Sequence, residues 1–252
     1  MESKRQQLIG TIFLSCLISV PVQAAEKSAL EDAQPQSAAA ATVEFPFKLF
    51  TASYRGEAYG MSMEKLGTRS LMQVDAQRYR IEYKANAMMY SMEETSDFIW
   101  QDNHIIPLAY HSERGTFLSK RKARLLFDWD AGTAEYKVKK RSGEFTISPG
   151  DQDPITSTLT LALKIDQKNP LIEVSEAKKD SVEMLEFERI DEPELQTPIG
   201  DIKTLHLRRI HDDPERQTEI WVHREYPYIP VKLRQNDDGE VFLLELTDLK
   251  LN

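Results

Sequence analysis

Residues 218–252 read TEIWVHREYPYIPVKLRQNDDGEVFLLELTDLKLN. Three runs rich in β-branched, aromatic and aliphatic residues lie in this stretch, at 218–224, 229–235 and 240–251. Tyr226, Pro227, Tyr228 and Pro230 punctuate the first junction, and Asn236, Asp237, Asp238 and Gly239 form the second. Asn, Asp and Gly tolerate the left-handed backbone of a tight turn, so the second junction predicts an antiparallel hairpin.

The same grammar extends upstream. Strand-like runs recur at 47–59, 61–74, 78–90, 91–100, 105–117, 122–128, 133–139 and 143–148, and again at 181–190 and 201–211. In the third run Tyr79, Ile81 and Tyr83 alternate with Arg80, Glu82 and Lys84, the period of a strand with one buried and one solvated face. Many short strands at hairpin spacing predict a mostly β fold: a single antiparallel curled sheet, or an incomplete barrel.

One segment departs from the pattern. Asp153 followed by Pro154 has the form of a helix start, with Asp as cap and Pro in the first turn. Ile155, Leu159, Ala162 and Leu163 then share a helical face. Leu159, Leu161, Leu163 and Ile165 also alternate as a strand would, but the cap and the length favour one main helix near 154–166. The polar residues 166–180 read as a connection back to the strands.

The amino terminus predicts export. Lys4 and Arg5 precede a short apolar run at 8–20, and Val22 and Ala24 occupy the small-residue positions of a cleavage site, giving a signal peptide over 1–24. The run is too short to span a bilayer, which takes about twenty residues, and no later stretch qualifies. Cys16, the single cysteine, resembles a lipidation site only loosely, because the apolar run continues past it. Residues 25–42, rich in Ala, Gln, Ser and Glu, lack the apolar surface to offset ordering and read as a disordered tether. A single β-rich domain is expected over 43–252, standing without disulfides.

Formal net charge is −9, and loss of Lys4, Arg5 and Glu2 with the leader makes it one unit more negative. This argues against nucleic acid and anionic membrane as partners, both of which need clustered cations. One basic run, Lys120, Arg121, Lys122 and Arg124, reads as the hairpin neighbour of Lys137, Lys139, Lys140 and Arg141. Their shared face is either a solvated strand face or a patch for an acidic partner.

Chemistry is not announced. None of the five histidines, His104, His111, His206, His211 and His223, has the spacing of a metal site. No nucleophile elbow or glycine-rich phosphate loop occurs. Thr156, Ser157 and Thr158 read as first-turn hydroxyls. Acidic pairs such as Glu93–Glu94 and Asp212–Asp213 are expected by chance in so acidic a chain. The expectation is therefore a non-enzyme with no cofactor. Trp100, Trp129 and Trp221, and Met88, Met89 and Met92 around Tyr90, read either as packing or as the lining of an apolar cleft. No ligand residues are assigned at this level.

A resemblance is carried by Thr197–Pro198–Ile199–Gly200–Asp201–Ile202–Lys203–Thr204, Arg208, Thr218 to Val222 and Tyr228 to Lys232. Pro107 with Tyr110, Phe127–Asp128 and Gln152–Asp153 are consistent with it. Together they resemble domain-of-unknown-function family 3108, which implies an exported Gram-negative envelope protein without established activity. The closing strands also resemble periplasmic lipoprotein carriers, where an incomplete barrel with a helical lid holds acyl chains. The expected function is a periplasmic binding or carrier role for a lipid-like or apolar ligand. The alternatives are an interaction module in envelope assembly, with an envelope protein as partner, and an envelope hydrolase.

Overall fold

The computed structural model describes residues 44–252, apart from 59–60, 88, 117 and 167–168. The expected leader, Cys16 and the tether lie outside the described residues, as does Met88. In chain order the elements are β1 (Phe50–Ala58), β2 (Met61–Gln73), β3 (Arg78–Ala87), β4 (Tyr90–Gln101), β5 (His104–Thr116), β6 (Ser119–Asp128), β7 (Thr133–Val138) and β8 (Arg141–Thr146). They continue with α1 (Thr156–Lys164), β9 (Leu171–Lys178), β10 (Ser181–Asp191), β11 (Glu194–Thr197), β12 (Gly200–Ile210), β13 (Arg216–His223), β14 (Pro230–Asp237) and β15 (Glu240–Leu251).

The 218–252 stretch forms β13 to β15. Asp237 pairs with Glu240, and Asp238 and Gly239 turn the chain with φ of 56° and 84°. Two consecutive left-handed residues give the two-residue hairpin turn whose twist matches that of its strands. β15 then pairs antiparallel with β1, so the last strand closes against the first.

Strand order is β8-β7-β6-β5-β4-β3-β2-β1-β15-β14-β13-β12-β10-β9, with β11 paired to β12. Every ladder is antiparallel, and the sheet is curled but not closed, its two ends being β8 and β9. The chain between these ends crosses the opening and carries the helix. On the way, Gln152 makes a parallel bridge to Glu176 of β9 and donates its side-chain amide to the Ile105 carbonyl of β5 at 3.0 Å. Arg141 of β8 meets Asp180, just past β9, at 2.6 Å.

The helix begins two residues later than the Asp-Pro signal predicts, at Thr156 with Ile155 in the cap position, and Asp153 serves its first amides from just ahead of it. Asp153 Oδ1 accepts from the amides of Ile155 and Thr156 at 2.8 and 3.0 Å, and its carbonyl accepts from the Ser157 amide at 2.9 Å. Thr156 Oγ1 accepts in return from the Asp153 amide at 3.1 Å, a reciprocal cap. Leu159 and Ala162 pack into the larger core of β1–β6 and β14–β15, whereas Leu161 and Ile165 pack into a second core with Val174, Phe187 and Leu207. Apolar residues on two flanks of one helix explain why its sequence also alternates like a strand.

The polar reading of 166–180 is overturned by β9. Ile172 and Val174 face the second core, and the inward position after them is Glu176, a buried carboxylate that accepts from the Ser157 hydroxyl at 3.1 Å. An inward charge satisfied from the helix hides the alternation. The short β11 likewise appears where no strand was expected, its residues only half-covered at the margin of β12. The edge expected at 143–148 lies two residues earlier, at Arg141–Thr146.

Candidate functional site

Cross-strand register places one polar row across the concave face. Arg69 of β2 lies opposite Tyr83 of β3, Tyr83 opposite Glu94 of β4, and Glu94 opposite Ser112 of β5. Tyr54 of β1 sits opposite Gly67, one diagonal step from Arg69. Each belongs to the inward phase of its strand, in step with buried Leu71, Ile81, Phe98 and Tyr110.

Tyr54, Arg69, Tyr83 and Glu94 floor an inner cavity of about 460 Å³ whose walls are Met92, Leu233, Gln235, Phe242 and Leu244, with Pro154 and Ile155 from just ahead of the helix over it. That volume lies in the range of about 300–1,000 Å³ common for small-molecule sites. Arg69 donates through one terminal nitrogen to the Thr158 hydroxyl, linking β2 to the helix. Its Nε and the Tyr54 hydroxyl are buried without a hydrogen-bond partner. Glu94 is engaged instead with Tyr110 and Ser112, whose hydroxyls donate to Oε1 at 2.8 and 3.2 Å.

Burial governs the electrostatics. It holds the Arg69 guanidinium below its ordinary value, opposed by Tyr54, Tyr83 and Glu94. It pushes the Tyr83 phenol up to about 12, with Glu94 adding to the effect, and raises Tyr54 and Tyr110 further still. All three phenols therefore remain protonated donors at neutral pH. Asp153, beside the cavity, is also raised by burial, against the lowering effect of hydrogen bonds from Ser96, Thr156 and Ile155.

An outer cleft of about 1010 Å³ lies between the β4–β5 turn, residues 149–152 and the later part of the helix. Trp100, Trp129, His104 and Leu163 line it, and the Trp129 indole donates to the Pro107 carbonyl at 2.7 Å. Its buried unpartnered polar atom is Gln152 Oε1, an acceptor. The inner cavity brings together two donors without hydrogen-bond partners, one of them on a cation, beside Leu233, Phe242 and Leu244, and is taken as the candidate site.

The other weighed residues scatter. Trp221 stacks on His206 at 4.2 Å, away from both cavities, and His206 approaches Asp191 at 3.0 Å. His211 pairs with Thr218 at 2.9 Å, and His223 Nδ1 accepts from the amides of Glu225 and Tyr226 at 3.1 and 3.2 Å. Among the described residues no three His, Cys, Asp or Glu converge to hold a metal. Thr156 and Ser157 are consumed by the helix start and Glu176. Glu93 points outward to Lys84 at 3.4 Å, and Asp213 organises a turn through the Glu215 amide at 3.0 Å. Met92 reaches the inner cavity, while Met89 is exposed.

The two basic runs do share a face. Lys122, Arg124, Lys137 and Lys139 line a groove of about 830 Å³ with His111 and Glu113, and Arg124 lies directly opposite Lys137.

The fold and site together define an open antiparallel sheet with a helix across its mouth and a polar-floored cavity on its concave face. The chain belongs to the family described as protein of unknown function (DUF3108), which matches it over residues 50–247. No curated protein matches it. Among solved structures it is similar to a beta-barrel-like protein of domain of unknown function DUF1849 from Brucella abortus. That likeness has a TM-score of 0.54 and 10% identity, covering 82% of this chain and 98% of the other. It extends to the fold alone. A "putative lipoprotein" from Parabacteroides distasonis aligns over 81% of this chain and 95% of its own at 9% identity, but its TM-score of 0.28 carries no argument.

Proposed function

We propose that this chain is an exported, non-enzymatic binding or carrier protein of the bacterial envelope, taking a lipid-like ligand into the inner cavity. The observation that supports this reading is the cavity of about 460 Å³ under Pro154 and Ile155, walled by Met92, Leu233, Phe242 and Leu244. A curled sheet whose interior were solid with side chains would have no use for a helix across its opening beyond core filling. The signal-like segment at 1–24 supports export, and among the described residues no helix is long and apolar enough to cross a membrane. An interaction module remains the second reading; its natural seat, the free edge β8, carries Arg141, Gly143 and Glu144, a composition that discourages strand addition.

The test is uptake of the slim fluorescent acyl probes cis-parinaric acid and methyl parinarate by delipidated protein. Saturable binding of either, lost in Leu244→Trp, which fills the cavity, is the expected result. No saturable uptake of either probe, or uptake unchanged in Leu244→Trp, overturns the reading.

A further inference from the structure

Arg69 poses an energetic problem. Its side chain is 9% exposed, and among the described residues it makes no ion pair. A buried charge without a counter-ion is costly, and a buried unpartnered donor adds about 1–3 kcal/mol. Arg69 Nε and the Tyr54 hydroxyl incur both at one spot. Tyr54 is 1% exposed, so bulk water does not relieve it.

Glu94 eases this cost without removing it: its charge favours the Arg69 guanidinium, but the two make no ion pair. It stands two strands from Arg69, beyond Tyr83, which at roughly 4.8 Å per strand separates the two backbones by about 10 Å. Its Oε1 is already satisfied by Tyr110 and Ser112. Tyr54 lies on the opposite flank of Arg69, on β1. A second anion placed between Tyr54 and Arg69 shares the cavity with Glu94 but stands on the flank of Arg69 away from it. The walls beyond that point, Leu233, Phe242 and Leu244, are apolar, with Gln235 opposite Phe242 as the one polar side chain of β14 among them.

We infer that the inner cavity takes a single-chain anionic amphiphile head-first, its carboxylate accepting from Arg69 Nε and the Tyr54 hydroxyl while its chain lies along β14 and β15. Two donors, one charged, match a carboxylate's two oxygens, and charge-assisted hydrogen bonds are roughly twice as strong as neutral ones. A neutral ester or alcohol leaves the guanidinium uncompensated. The inference rests on the carrier reading and specifies the chemical class of its ligand.

The same two probes test it, now by comparison. Parinaric acid should bind at least about tenfold more tightly than its methyl ester, the discrimination expected when a site built for a charged partner meets an analogue lacking it. Arg69→Met should bring the acid down to the level of the ester, and Tyr54→Phe should remove part of the preference. Tyr54→Phe keeps the ring and the Arg69–Thr158 link, so it reports even if Arg69→Met fails to fold. Equal binding of acid and ester overturns the inference and leaves the carrier reading standing. An acid preference that survives in both variants overturns it too. Failure of both probes to bind the unaltered protein removes the carrier reading and the inference with it.

Discussion

Ser96 of β4 donates its hydroxyl to the buried carboxylate of Asp153 at 2.5 Å, so the residue that starts the helix also fastens it to the sheet. Arg69 holds the next turn through Thr158, and Ser157 reaches Glu176 on β9. The helix is thus pinned to the interior strands β2 and β4 and to the β9 end of the open sheet by buried polar contacts, and the cavity lies under its pinned start. A helix held only by apolar packing could slide; hydrogen bonds of fixed geometry give it one position.

The state of Asp153 makes stability depend on pH. Burial raises its carboxyl above the ordinary 3.8, outweighing the hydrogen bonds that favour the ionised form. The folded chain therefore binds more protons here than the unfolded chain as pH rises above 3.8, and this residue's contribution declines through that window. Asp153→Asn cannot ionise and still offers an acceptor to Ile155 and Thr156. Its stability relative to the unaltered protein should rise between acid and neutral pH, and Asp153→Ala should follow the same slope from a baseline about 1–3 kcal/mol lower, owing to the lost cap and the orphaned Ser96 hydroxyl. Urea midpoints at pH 4 and pH 7 give the answer, and parallel curves for the Asn variant would contradict it.

Tyr228 ties the segment before β1 to the start of β14. Its hydroxyl accepts from the Lys48 amide at 3.0 Å and donates to the Lys48 carbonyl at 3.3 Å, while its ring packs edge-on against Phe47 at 4.8 Å. Tyr228→Phe keeps the ring contacts and removes both hydrogen bonds, so it should cost about 1 kcal/mol. Chemical denaturation measures the loss, and amide exchange at Lys48 should quicken more than at the amides of β1.

Much of this architecture is legible in the sequence because antiparallel strands write their two faces as alternation. Tyr79, Ile81 and Tyr83 read as one face, and Tyr79 and Ile81 are buried. The Asp153–Pro154 signal decided for a helix over the competing alternation of Leu159, Leu161 and Leu163, since a cap is local chemistry that a strand does not need. The candidate site is not legible for the opposite reason. Arg69 and Glu94 occupy inward positions, and a charge in the inward phase looks like a break in the pattern until its neighbours across the sheet are known. Those neighbours come from register, which places Tyr54, Arg69 and Tyr83 side by side although the chain separates them by a dozen residues or more. The one signal available was that Arg69 is in phase with Leu71. Glu176 hid β9 in the same way.

Gly67 occupies a place that allows no side chain. It lies opposite Tyr54 on one side and Ala85 on the other, and a Cβ built on it would stand 2.2 Å from the Lys84 carbonyl oxygen. That obstacle is backbone and cannot swing aside, so Gly67→Ala should cost about 1–3 kcal/mol and displace β2 under Arg69. Gly239→Ala is the contrast. Nothing lies within 4 Å of its added Cβ, and only the φ of +84° penalises it, by about 1 kcal/mol. Acyl-probe uptake should fall in Gly67→Ala and stay unchanged in Gly239→Ala, measured beside thermal denaturation of both.

On the outer face, Glu113 receives Lys120 at 2.5 Å and Lys122 at 2.6 Å. The Lys120 hydrogen bond, followed by that of Lys122, holds its carboxyl down to about 2, against an ordinary value of 4.5. A depressed carboxylate contributes stability that is present above 4.5 and lost as pH falls towards 2. The trio sits at the surface, so salt should weaken it, with a screening length of about 3 Å at 1 M against about 10 Å at 0.1 M. Carbon-detected NMR of the Glu113 carboxyl should therefore titrate near 2 in dilute buffer and move up in 1 M salt. Lys120→Ala should raise the midpoint more than Lys122→Ala. An ordinary midpoint in dilute buffer would mean that the lysines spend their time in solvent, leaving the groove beside Arg124 and Lys137 more strongly cationic than these contacts imply.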